Sequence, residues 1–237
     1  MIIMKKTLKL MAMLLCAAML FGVASCDRNE DDGDLSSEEW VDMGLPSGLL
    51  WASCNIGANS PEEFGNYYAW GETQTKEMYD ESTYSYYTFD ADDGFLLTKY
   101  NTKEPYGTVD NKTVLEASDD VATAVLGNGA RIPTFDDWEE LLDNTTGEET
   151  EHNGVYGWKF TATNGNSIFL PAAGVRVYSS LHLAGGEGRY WSSSLLTDSP
   201  DCAWFFNFDQ DYPDNSGMVG NDRIDGQSVR AVRASKN

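Results

Sequence analysis

The chain has 237 residues, 12% of them aromatic, and a formal net charge of −22 at pH 7. Such a charge repels nucleic acid and anionic lipid headgroups, so neither is expected as a direct partner. The length suits one domain with a sizeable core, and the aromatic content excludes a chain disordered throughout.

Residues 1–26 have the three parts of an export signal. Lys5, Lys6 and Lys9 make a basic start, residues 10–23 an apolar stretch, and Val23-Ala24-Ser25-Cys26 a small-residue exit. The apolar run is short for a membrane span and no basic stop follows it. Its ending, VASC, resembles the bacterial lipobox, which implies acylation of Cys26 and membrane attachment through that lipid anchor alone. Residues 27–40 then read as an acidic flexible tether, because DRNEDDGDLSSEE holds too few apolar residues to fold. An acidic run at this place resembles the signal that sends lipoproteins of the Bacteroidota to the cell exterior; a plain solvated linker is the alternative. The expected location is the outer membrane, lipid-anchored and facing outward.

Residues 41–237 are expected to form a single domain. A turn at Leu45-Pro46-Ser47-Gly48 feeds a strand over 49–55, and FGNYYAWGE at 64–72 reads as a second strand-like piece. Residues 73–110 show no lasting period and read as a long excursion, uncommon unless functional or mobile. Ser118-Asp119-Asp120 caps a helix over 121–126 that Gly127 closes. Thr134 caps a second helix, FDDWEELLDN, whose Phe135, Trp138, Leu141 and Leu142 share one apolar face. Asn164-Gly165 then predicts a hairpin within 157–170. Three further strand-like runs, 190–194, 203–208 and 228–233, close the chain, separated by polar loops at 195–201 and 209–227.

Of the four cysteines, Cys16 leaves with the leader and Cys26 is the lipid site. Cys54 and Cys202 remain in a compartment where a disulfide is permitted. A buried free thiol at Cys54 is the default expectation and a Cys54–Cys202 bridge the alternative. No CxxC or HxxxH spacing occurs and the histidines are His152 and His182, so neither a metal site nor a cofactor is expected. Ser192-Ser193-Ser194 lies on no strand-to-helix elbow and has no orienting acid at a telling spacing, so the serines read as small packing residues. Arg230 and Arg233 are expected to pair with carboxylates. Nothing in the C-terminal loops is an evident nucleophile or base, and a non-enzymatic function is expected.

VDMGLPSGLLWASCNIGA, NYYAWGE, LTKYNT, ARIPTFDDWEELL, NGNSIFLPAAG, YWSSS, AWFFNF and GQSVRAVR follow one another along residues 41–233. In that order they resemble the Fibrobacter succinogenes major paralogous domain family. Parts also resemble the collagen-like-adhesin C-terminal family and, more distantly, the formylglycine-generating branch of C-type-lectin-like folds. The resemblance implies an α+β, C-type-lectin-like domain: antiparallel strands with two flanking helices and long loops, its N- and C-terminal strands paired. It implies a surface module that binds an extracellular glycan or protein through the last strands and their loops. Carried to this chain, that points at Tyr190, Trp204, Phe206, Asp209, Asp211, Tyr212, Asp214, Asn215, Asn221 and Asp222. A structural or tip subunit of an adhesive assembly, or a retroelement-diversified binder, are the alternatives.

The chain departs from these relatives in places. Tyr212-Pro213-Asp214 and Gly220-Asn221-Asp222 do not supply a full lectin calcium set, and Asp90-Ala91-Asp92-Asp93-Gly94 lacks the closing glutamate of a calcium loop. Calcium-dependent sugar binding is therefore not indicated. The formylglycine-generating relatives need a cysteine pair in the C-terminal half, where this chain has Cys202 alone.

Overall fold

The two helices form where side chains can take up the free amides of a first turn. In the structure, a computed structural model describing residues 39–235, α1 (Val121–Leu126) is capped by Asp120, whose carboxylate accepts from the Thr123 amide. Gly127, at φ 59°, ends it. Thr134 and Asp137 form a reciprocal capping box at the start of α2 (Phe135–Asn144). Both helices keep the expected bounds. The leader, Cys26 and residues 27–38 of the tether lie outside the described residues.

Asp137 also receives the Arg131 guanidinium at 2.5 Å and the Thr134 amide at 2.7 Å. Burial pushes its carboxyl up, but these bonds outweigh burial and hold it below the ordinary value. The stability it contributes is therefore full above the unfolded aspartate pKa of about 3.9 and is lost as pH falls through the lower folded value. In Asp137→Asn the fall in unfolding free energy below about pH 4 should be shallower than in the parent. Equal slopes in acid unfolding curves would remove Asp137 from this role.

Antiparallel strands make up most of the rest, giving an α+β domain with 40% strand and 13% helix. β1 (Trp40–Asp42) and β2 (Leu49–Ala52) form a three-stranded sheet with β13 (Val232–Ala234), in which Leu50 faces Arg233. The two ends of the domain thus pair, as expected. The predicted strand over 228–233 is shorter than its pattern suggests. Its first residues run beside 52–56 with single bonds, Ile56 N–H to the Val229 carbonyl at 3.0 Å and Ala52 N–H to that of Ala231 at 2.9 Å. Residues 64–72 form no strand and keep one bridge, Tyr68 to Gln227.

The excursion holds a hairpin, β3 (Tyr87–Asp90) and β4 (Gly94–Leu97). At its turn the Asp90 carboxylate accepts the amides of Asp92 and Asp93 at 2.8 and 3.1 Å, and Gly94 takes φ 80°. Asp90 thus serves the turn. The second sheet contains a strand that composition hid: β5 (Thr145–His152), polar throughout, pairs along β6 (Val155–Ala162). β7 (Ser167–Pro171) completes it across the Asn164-Gly165 turn. A short hairpin, β8 (Val175–Val177) and β9 (Ser180–His182), leads to the last sheet. That sheet has the order β10 (Glu187–Leu195), β11 (Cys202–Asp209) and β12 (Gly217–Asp222).

Apolar side chains pack on both faces of this last sheet. On one side Trp191, Ala203 and Phe205 join Trp70, Tyr100 and Leu115. On the other, Tyr190, Phe206 and Phe208 join Trp51, Trp138 and Leu141. Trp138 of α2 stacks on Phe206 at 5.1 Å and meets the edge of Trp51 at 4.7 Å. Phe135 and Leu142 lie at the margin of that stripe, half-buried.

Two sequence expectations change here, those for Arg230 and Cys54. Arg230 pairs with no carboxylate; it is fully buried and donates to Asn55 Oδ1 and to the carbonyls of Ala52, Ser53 and Phe169. Arg233 lies over the Trp40 ring at 4.3 Å. Cys54 and Cys202 are free thiols, and Cys54 is half-buried where full burial was expected.

Candidate functional site

Alternation along β11 sends Ala203 and Phe205 to one face and Phe206 and Phe208 to the other. Both faces lie inside, because helix α2 covers one side and Trp70, Tyr100 and the apolar residues of α1 the other. Tyr190 and Phe206 are consequently 0% exposed and cannot touch a ligand, which corrects their place among the candidates. The Tyr190 hydroxyl donates to the Pro171 carbonyl at 2.7 Å, a structural bond. Burial pushes that phenol well above its usual pKa. Trp204 is half-buried, its ring 4.8 Å from that of Phe135.

The other candidates sit on the rim of this sheet. Asp209 ends β11, and its carboxylate accepts the Asp211 amide at 2.8 Å. Asp211, Tyr212, Asp214 and Asn215 follow in an exposed turn with a short 3-10 segment at Pro213–Asn215, and Tyr212 is 62% exposed. Asn221 and Asp222 are not loop residues. They belong to β12, which forms inside the stretch expected to be a loop because Met218 and Val219 pair opposite Phe206 and Phe205. The Asn221 amide donates to the buried Asp225 carboxylate at 2.7 Å. Burial raises the Asp225 carboxyl, and Asp222 adds to the shift. Seven of the ten candidates thus line one edge and corner of the sheet, while Trp204 lies on its central strand.

Asp201, Cys202 and Asp222 bring three ligand atoms within 4.8 Å of one another, the cation-sized grouping found among the described residues. Burial, with Asp201 and Asp222 adding negative charge, pushes the Cys202 thiol up to about 12. A metal bound there would have to displace a firmly held proton. Ser192 and Ser193 are buried, and Ser194 Oγ accepts the Phe135 amide at 3.0 Å, so the serine run is packing and capping.

Two hollows lie elsewhere, and none of the ten candidates lines either. A polar one of about 400 Å³ is bounded by Glu72, Lys76, Ser85, Tyr86 and Asp119. Glu72 accepts the Ser85 amide and hydroxyl, each at 2.8 Å, and pairs with Lys76 at 2.8 Å. In Asp119, burial raises the carboxyl but bonds from Lys99 and Tyr100 prevail and lower it. The irregular stretch after residue 73 was the one sequence signal for this hollow. A smaller one, about 270 Å³, lies against β5–β7 beside His152, Lys159 and Phe169. Compared with family models, curated proteins and solved structures, the chain matches none.

Proposed function

We propose that the chain is a lipid-anchored cell-surface binding module of C-type-lectin-like fold, without enzymatic activity, recognising an extracellular glycan or protein through residues 209–222. One observation carries this reading. A sheet packed on both faces holds a rim on which Asp211, Tyr212, Asp214 and Asn215 are exposed beside an outer strand. Rigid support with a ring and acceptors at its edge suits recognition, since the contact groups lose little freedom on binding. The fold is inferred from the paired terminal strands, the two helices and the order of the resembling segments.

Tyr212→Ala combined with Asp211→Asn and Asp214→Asn should lower binding to an extracellular glycan and protein array at least tenfold, with unfolding unchanged. Full retention of every signal would end the proposal. A second reading places a polar ligand in the 400 Å³ hollow, favoured by its ring of hydroxyl, carboxylate and ammonium groups. Glu72→Gln with Tyr86→Phe would then abolish binding while the rim variant keeps it.

A further inference from the structure

Strand β12 is the outer strand of its sheet, and no described strand pairs with its far side. Its register with β11 runs without a shift from Cys202↔Asp222 to Asn207↔Gly217. Just beyond, the Arg223 amide donates to the Asp201 carbonyl at 3.0 Å, so that pair is hydrogen-bonded. Antiparallel ladders alternate between bonded and non-bonded pairs. Ala203–Asn221, Phe205–Val219 and Asn207–Gly217 therefore share the ladder bonds. The main-chain groups of Met218 and Gly220 point away from the sheet, and among the described residues no backbone group bonds them there.

Proteins guard such an edge with charge, proline or a bulge. The other long polar edge, β5, does so with Glu148, Glu149 and Glu151. The middle of β12, Met218-Val219-Gly220, carries none of these, and Val219 is 38% exposed. Acid instead collects at its two ends: Asp209, Asp211 and Asp214 before Gly217, and Asp201, Asp222 and Asp225 around the far end. A second copy would set acid against acid along this edge, under a charge of −22 on each chain. The complement is a segment with an uncharged centre and basic ends.

We propose that β12 receives an extended, cationic segment of a partner protein as an added strand. Its main chain would bond to Met218 and Gly220, and its Lys or Arg flanks would meet Asp211 and Asp214 at one end and Asp201 and Asp222 at the other. This rests on the binding reading above and narrows it to a protein partner.

The test selects peptides from a random dodecapeptide library against the full chain and remakes the winners synthetically. Selected peptides should be rich in Lys and Arg and should weaken with salt. They should lose at least tenfold in affinity when alternate backbone amides are N-methylated. Gly220→Pro removes an outward N–H, where proline is tolerated on an edge, and should cost as much. A Cβ at that position would come within 2.6 Å of Leu196 Cδ2, so the Leu196 side chain must turn aside. If Gly220→Pro unfolds, the surface pair Asp211→Lys with Asp222→Lys should still lower affinity tenfold and flatten the salt dependence. Bound peptide should protect the Met218 and Gly220 amides from hydrogen exchange. Failure to select any peptide, or binding indifferent to N-methylation, overturns strand addition. Self-association lost in Gly220→Pro would assign the edge to a second copy instead. Array binding that falls with Tyr212→Ala but survives Gly220→Pro would overturn strand addition and leave the broader reading standing.

Discussion

Arg230→Met should lower the unfolding free energy by about 3–5 kcal/mol. The guanidinium is fully buried and its donors reach four acceptors: Asn55 Oδ1 and the carbonyls of Ala52, Ser53 and Phe169, at 2.7 to 3.1 Å. These lie in segments far apart in sequence, the end of β2 and strand β7, and Arg230 ties both to the approach to β13. Methionine relieves the cost of burying a charge, which lowers the guanidinium's hold on its proton. It also takes the donor from four acceptors, at about 1–3 kcal/mol for each left unsatisfied. The second effect wins by number. Arg230→Lys should recover little, because an ammonium cannot fork between Asn55 and the backbone. Thermal unfolding should fall by about 10 °C at the usual 2–4 °C per kcal/mol for a domain of this size. A loss under about 1 kcal/mol, typical of one ordinary hydrogen bond, would show that the four acceptors find other donors.

Arg223→Met should cost about as much but act in one region. Its guanidinium lies 4.7 Å from the Trp70 ring centre and within 6 Å of Tyr84, Tyr86 and Tyr100. It donates to the Tyr84 hydroxyl at 2.9 Å and to the Pro200 and Tyr100 carbonyls at 2.9 and 3.1 Å. A desolvated cation over aromatic rings contributes about 2 kcal/mol, and the lost carbonyl bonds add a similar amount. This one residue pins the excursion that contains β3 and β4 to the end of β12. Hydrogen exchange should therefore quicken across residues 84–100 and at β12 while α2 stays protected. Equal loosening of α2 would show that the excursion and the helix open as one unit.

The elements that could be foreseen are those whose causes lie within a few residues. Thr134 and Asp137 close a capping box on each other, Asp120 reaches three residues ahead, and Asn164-Gly165 turns a hairpin. The acidic strand β5 has no such local cause. It is a strand because β6 lies beside it, and its side chains reveal nothing of that partner. β12 is similar: Asp, Asn and Gly suggest a loop, and only the facing Phe205 and Phe206 make it a strand. The candidate site was legible as a region, since seven of the ten residues fall in 209–215 and 221–222 on the rim, with Asp209 and Asn221 half-buried among them. It was not legible as a surface, because Tyr190 and Phe206 look the same in sequence whether they face water or α2.

Composition, local capping chemistry and turn residues determined by themselves an acidic, aromatic-rich α+β chain with two short helices and a hairpin. Their physical reach is a few residues, which is the reach of a capping bond or a left-handed glycine. Tertiary structure alone decided that β11 is covered on both faces, that Arg230 serves carbonyls and Asn55, and that β12 ends its sheet. Each of those depends on groups brought together from distant parts of the chain, where burial and leftover hydrogen-bond acceptors set the outcome.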